Sequence, residues 1–94
     1  MLYSFETLKQ VVDMCVDTYA DQFVSNVPLA SGRIAVLSEE ESSFGGTFYR
    51  AEICEGDGTT IEFLTTDDGA DIDDGIERLG LLIDTYGDEI AFND

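Results

Sequence analysis

The side chains with chemistry to offer in this sequence are carboxylates. Asp13, Asp17 and Asp21 recur at intervals of four, Glu39, Glu40 and Glu41 are consecutive, and Glu55 and Asp57 flank Gly56. Asp67, Asp68, Asp71, Asp73 and Asp74 crowd a short stretch, with Glu77 just beyond them. Clustered acids can hold a cation, share a proton in catalysis, or present negative charge to a basic partner.

The first two uses find little support. An EF-hand needs acids at positions one, three and five, glycine at six and glutamate at twelve. Placing Gly75 at six puts Ala70, Ile72 and Leu81 at ligand positions, and placing Gly69 there puts Leu64 first, so no dedicated metal site is expected. The chain has no histidine, which excludes Ser-His and Cys-His nucleophile pairs and histidine-ligated zinc. Cys15 and Cys54 form no metal-binding spacing and are expected as buried free thiols. Gly45-Gly46 and Gly56-Asp57-Gly58 lack the lysine of a phosphate loop. No pair of acids stands out as a catalytic couple, so the chain reads as a non-enzyme without a cofactor.

The charge balance favours the third use. Against 21 acids stand only Lys9, Arg33, Arg50 and Arg78, a net charge of −17 in 94 residues. Solubility of a small domain calls for a net charge of roughly 2–8 in magnitude. So few cations exclude direct binding to nucleic acid or to an anionic membrane. The apolar fraction of 44% and aromatic fraction of 11% are too high for a disordered chain, so one acidic domain is expected over residues 1–94. Mutual repulsion makes its stability rise with salt. The N-terminus lacks the basic start and apolar stretch of a secretory signal, which makes the cytoplasm the expected compartment.

Patterning supplies the elements that must position these acids. Ser4 is placed to cap a helix with Glu6 in its first turn, and Phe5, Leu8, Val12, Cys15, Tyr19 and Phe23 recur at helical intervals. On that helix Asp13, Asp17 and Asp21 would form a ladder with steps of roughly 6 Å. Each like-charge step costs about 0.2–0.5 kcal/mol. An ordinary solvated face accounts for the ladder as well as a functional one does. Asn26, Pro28, Ser31 and Gly32 predict a connecting loop.

Three strands are then expected, at 33–38, 47–55 and 59–66, with Glu39, Glu40 and Glu41 opening the loop after the first. A three-residue hairpin loop, Gly56-Asp57-Gly58, would pair Tyr49, Ala51 and Ile53 with Thr65, Phe63 and Ile61. That register sets Glu52 opposite Glu62 on the outer face. A second helix follows, with a stripe of Ile72, Ile76, Leu79, Ile83 and Tyr86 and a stop at Gly87. Asp71, Asp73 and Asp74 suit its start, whereas Asp67, Asp68, Glu77, Asp84 and Asp88 exceed what capping needs. Residues 88–94, with Ile90 and Phe92, predict a short edge strand. The fold class is α+β: a three-stranded antiparallel sheet flanked by an N-terminal and a C-terminal helix, in the order αβββα.

In size, charge and order of elements the chain resembles the small phage-encoded acidic inhibitors called DNA mimics, which include anti-restriction and several anti-CRISPR proteins. It is most similar to anti-CRISPR proteins in which helices flank a three-stranded sheet. The likeness rests on type, with no signature motif. It implies an inhibitor in the host bacterial cytoplasm that blocks target-DNA binding by a CRISPR effector complex. Its acids, Asp13, Asp17, Asp21, Glu39, Glu40, Glu41, Glu55, Asp57, Asp67, Asp68, Asp71, Asp73, Asp74 and Glu77, would sit in a basic DNA-binding groove in place of phosphates.

Other readings stay open. An anti-restriction mimic would use the same acids on another nucleic-acid-binding protein. An immunity or antitoxin protein capping a basic nuclease would add aromatic anchors such as Phe44, Phe48 or Tyr49. A halophile's protein would be acidic because of its solvent, but seven isoleucines, six phenylalanines and two cysteines are more than salt adaptation favours.

Overall fold

A computed structural model describes residues 2–92 of the chain. Its first helix, α1 (Phe5–Met14), starts where the capping signal places it, with the Thr7 N–H donating to Ser4 Oγ at 3.2 Å. It stops well short of the predicted end. Past Met14 come Cys15, Val16, Asp17 and Thr18, all modest helix formers, and a strand takes over their backbone groups. Asn26 N–H donates to Cys15 C=O at 3.2 Å, Asp17 N–H donates to Val24 C=O at 2.8 Å, and Val16 bridges Ser25. The buried Ser25 hydroxyl donates to Val12 C=O at 2.7 Å, serving a carbonyl at the helix end. Asp17 accepts the Tyr19 N–H at 2.9 Å and turns the chain.

The strand responsible, β1 (Val24–Pro28), lies where a loop was expected, so the order of elements is αββββα. Three further strands follow, β2 (Ile34–Glu41), β3 (Thr47–Cys54) and β4 (Thr60–Thr65), and then α2 (Ile72–Tyr86). The sheet is an antiparallel meander in the order β1-β2-β3-β4. Pro28 is tolerated because it ends β1 with its backbone groups turned away from β2, so the β1–β2 ladder loses no donor. In place of a final strand, Ile90 makes a single bridge to Leu29, and Ala91 N–H reaches Pro28 C=O at 2.9 Å. Residues 93 and 94 of the expected strand lie outside the described residues.

Both helices cover one face of the sheet. Leu8 and Val12 of α1 and Ile76, Leu79, Leu82 and Ile83 of α2 are buried with Val27, Leu37, Ala51 and Ile53 of the strands. Asp71 caps α2 by accepting the Asp73 N–H at 3.1 Å, and Gly87 ends it with φ +60°, the left-handed geometry expected of that glycine. Gly75 has another role. A β-carbon there would stand 2.8 Å from Tyr49 Cβ and 3.0 Å from Leu37 Cδ1, so the missing side chain lets α2 lie close on β2 and β3.

The hairpin between β3 and β4 begins as predicted, with Glu55 N–H donating to Thr59 C=O at 2.8 Å and Cys54 opposite Thr60. Beyond it a bulge shifts the pairing by one residue: Ile53 faces Glu62, Glu52 faces Phe63, and Ala51 faces Leu64. Leu64 thus packs against the core, while Phe63 is left 51% exposed. The expected opposition of Glu52 to Glu62 is lost. Arg50 instead lies 3.1 Å from Glu52 as an ion pair and stacks on Phe63 at 4.2 Å.

Candidate functional site

The meander decides which acids meet. At the sheet end where β2 finishes and β3 begins, three segments come together: the turn at 17–23, the loop at 42–46 and the loop at 66–71. Glu39 N–H donates to Phe23 C=O at 2.9 Å, which joins the first to β2. Gly69 N–H donates to Thr47 C=O at 2.8 Å, which pins the last to β3. A β-carbon on Gly46 would come within 3.8 Å of Asp68 Cβ, so the two loops are neighbours. The start of α2 stands behind them, since it continues directly from the 66–71 loop.

This rim collects Asp17, Asp21, Glu39, Glu40, Glu41, Asp67, Asp68, Asp71, Asp73 and Asp74. The glutamate triplet is placed differently from its expected loop. Glu39, Glu40 and Glu41 are the last residues of β2, opposite Tyr49, Phe48 and Thr47, so their backbone is held by a strand ladder. With α1 ending at Met14, the aspartate ladder does not form either: Asp13 is exposed on the helix, and Asp17 and Asp21 lie in the turn beyond it. Glu55 and Asp57 belong to the hairpin loop at the opposite sheet end. Glu77 is exposed on α2, outside the rim.

Some of these acids have local work. Asp71 caps α2, Asp17 holds its turn, and Asp57 accepts the Thr59 N–H at 2.9 Å, a bond that holds its carboxyl below the usual aspartate range. Lys9 reaches Asp73 at 3.7 Å in an exposed ion pair of small worth. The other cations stand elsewhere: Arg33 precedes β2 at the far end, Arg50 is paired on the outer face, and Arg78 is midway along α2. Burial, with Glu39 and Asp71 nearby, pushes the Tyr49 phenol upward.

Two aromatic side chains project at the same end. Phe44 in the 42–46 loop is 92% exposed, and Tyr19 in the 17–23 turn is 96% exposed. Sequence periodicity assigns Tyr19 to a buried helical stripe, and only the early end of α1 frees it. Phe48 and Tyr49 are half-buried, and Tyr49 meets Phe23 edge to face at 6.5 Å, so neither is a free anchor.

Reactive groups elsewhere are subdued. Both cysteines are free, Cys54 buried and Cys15 half-buried, and burial pushes each thiol upward, away from the nucleophilic thiolate. Among the described residues no group of three or more metal-ligating side chains is arranged around a common point, and no helix is long and apolar enough to cross a membrane. No family model, curated protein or solved structure matches the chain.

Proposed function

We propose that this protein is an inhibitor of the DNA-mimic type, acting on the basic DNA-binding groove of a CRISPR effector complex in the bacterial cytoplasm. The observation that carries this reading is the gathering of ten carboxylates at one sheet end, with Lys9 paired to one of them, Asp73. Four strands make a rim about 14 Å wide, and a duplex carries about eight charges over that length. Ten carboxylates spread over that rim and the helix start behind it give a negative charge of the same order. The β2 ladder holds Glu39, Glu40 and Glu41, and the start of α2 holds Asp71, Asp73 and Asp74, so these six need gain little order on binding. Opposite net charges also speed the encounter with a basic groove at low salt.

The test is competition. A CRISPR effector complex is offered labelled target duplex with increasing amounts of this protein, and duplex binding is read by anisotropy at two salt concentrations. Loss of duplex binding that weakens as salt rises is the expected result. Simultaneous binding of protein and duplex at full affinity would overturn the mechanism.

The exposure of Phe44 beside the acids favours one second reading, a protein that caps a basic nuclease through an aromatic anchor. Aromatic anchors carry about 2 kcal/mol or more at such interfaces. If Phe44→Ala abolishes nuclease binding while charge-neutral variants of the rim retain it, the capping reading replaces the mimic.

A further inference from the structure

The two edges of the sheet differ. The outer edge of β1 is closed along its length: Cys15, Val16 and Asp17 pair with it at one end, and Ile90 and Ala91 cover the other. It also carries Pro28. β4 has no proline or lysine, and among the described residues it pairs with β3 alone. The Thr66 N–H donates to Tyr49 C=O at 2.9 Å, which sets the phase of the ladder. Glu62 and Leu64 therefore turn their backbone groups toward β3, and Phe63 and Thr65 turn theirs outward. Two large apolar side chains stand on this strand, Ile61 at 37% exposure and Phe63 at 51%. An open edge of this kind is a template for another strand.

We infer that the free edge of β4 is a docking strand for an extended, basic segment of a partner protein. The choice of occupant comes from charge. Glu62 lies within β4, the loop holding Glu55 and Asp57 precedes it, and the loop holding Asp67 and Asp68 follows it. An incoming strand thus runs from one acidic loop to the other past Glu62, so lysines at its two ends and beside Glu62 would meet carboxylates. A second copy fits worse. Antiparallel pairing of two β4 edges would bring the 55–59 loop of one chain against the 66–71 loop of the other, acid against acid, between molecules of net charge −17. The bulge confines regular pairing to residues 62–65, so a short segment suffices. This mode of recognition is strand addition, with affinity from main-chain hydrogen bonds and selectivity from alternate side chains. It stands apart from the mimic reading, because it rests on the β4 backbone and not on the rim.

The probe is a synthetic peptide of alternating lysine and valine, titrated calorimetrically and by amide hydrogen exchange. Binding is expected, with the Phe63 and Thr65 amides becoming protected. Thr65→Pro removes an outward N–H without touching the β3–β4 ladder, and it should weaken binding by about tenfold or more, whereas Thr65→Ala should not. Circular dichroism checks the fold of both variants; if the proline variant is unfolded, the exchange pattern of the unaltered protein decides. Equal binding of a peptide with proline in place of each valine would reduce the effect to charge and overturn the inference. So would binding that leaves Phe63 and Thr65 unprotected. A salt-induced dimer that Thr65→Pro abolishes would give the edge to a second copy instead and overturn the chosen occupant.

Discussion

The guanidinium of Arg50 lies 4.2 Å from the ring centre of Phe63, on the diagonal of the β3–β4 ladder. The contact exists because one extra residue near the hairpin turns Phe63 to the outer face and Leu64 toward the helices. Alternation read from the sequence reverses those two roles. Truncating them distinguishes the registers. Leu64→Ala should cost about 2 kcal/mol, the low end for a leucine in contact with a core. Phe63→Ala should cost about 1 kcal/mol, the value of an exposed cation–π contact. Urea titration of both variants measures the order, and a costlier Phe63→Ala would restore the unshifted register.

Gly75→Ala sets two effects against each other. Inside a helix alanine is worth about 1 kcal/mol more than glycine. Here the added β-carbon would stand 2.8 Å from Tyr49 Cβ, an atom next to the backbone with little room to yield. Overpacking of this kind costs about 1–3 kcal/mol, so the variant should melt at a lower temperature than the parent chain. A higher melting temperature would mean that α2 lies farther from the sheet.

Neutralising the rim should separate binding from folding. Glu40→Gln, Glu41→Gln, Asp67→Asn and Asp68→Asn leave the backbone bonds of the β2 ladder and of the Asp67 turn in place, and relief of repulsion should leave the fold as stable or more so. On the proposed reading, binding to a CRISPR effector complex should fall at least several-fold. Asp71→Ala behaves differently, because it removes the cap of α2 and costs about 1 kcal/mol in any solvent. Stability of the parent chain should rise from low to moderate sodium chloride, and that rise should shrink in the neutralised variant. Chemical denaturation with urea, which is uncharged, measures all three.

The response to high pH should run through Tyr49. Its folded-state phenol is pushed above the unfolded value of about 10, first by burial and then by Glu39 and Asp71. A group raised in this way adds stability that is complete below the unfolded value and is lost as pH climbs through the folded one. Stability should therefore fall above about pH 10, and Tyr49→Phe should flatten the fall. Asp57 has the opposite sign. Its carboxyl is held down chiefly by the Thr59 N–H, so its contribution is present above the unfolded value of about 3.9 and is lost as pH drops below it. Urea titrations across both ranges, repeated on Tyr49→Phe and Asp57→Ala, check the two signs.

The sequence by itself determined what neighbours along the chain control. Ser4 and Asp71 start helices, Gly87 stops one, Gly56-Asp57-Gly58 makes a hairpin loop, and the α2 stripe is read from its spacing. Each depends on a side chain and a backbone group a few residues apart. The α+β class and the excess of carboxylates were legible for the same reason. What only the tertiary structure decided depends on distant partners. Residues 24–28 form a strand because β2 and residues 15–17 pair with them, despite Pro28. That pairing helps end α1 at Met14, dissolves the aspartate ladder and exposes Tyr19. The β4 bulge exchanges Phe63 for Leu64. The meander carries acids from opposite halves of the chain to one rim and sends Glu55 and Asp57 to the other end. Net charge is a sum over residues and needs no fold, whereas a charged surface is a matter of position, and position is set by pairing between strands far apart in sequence.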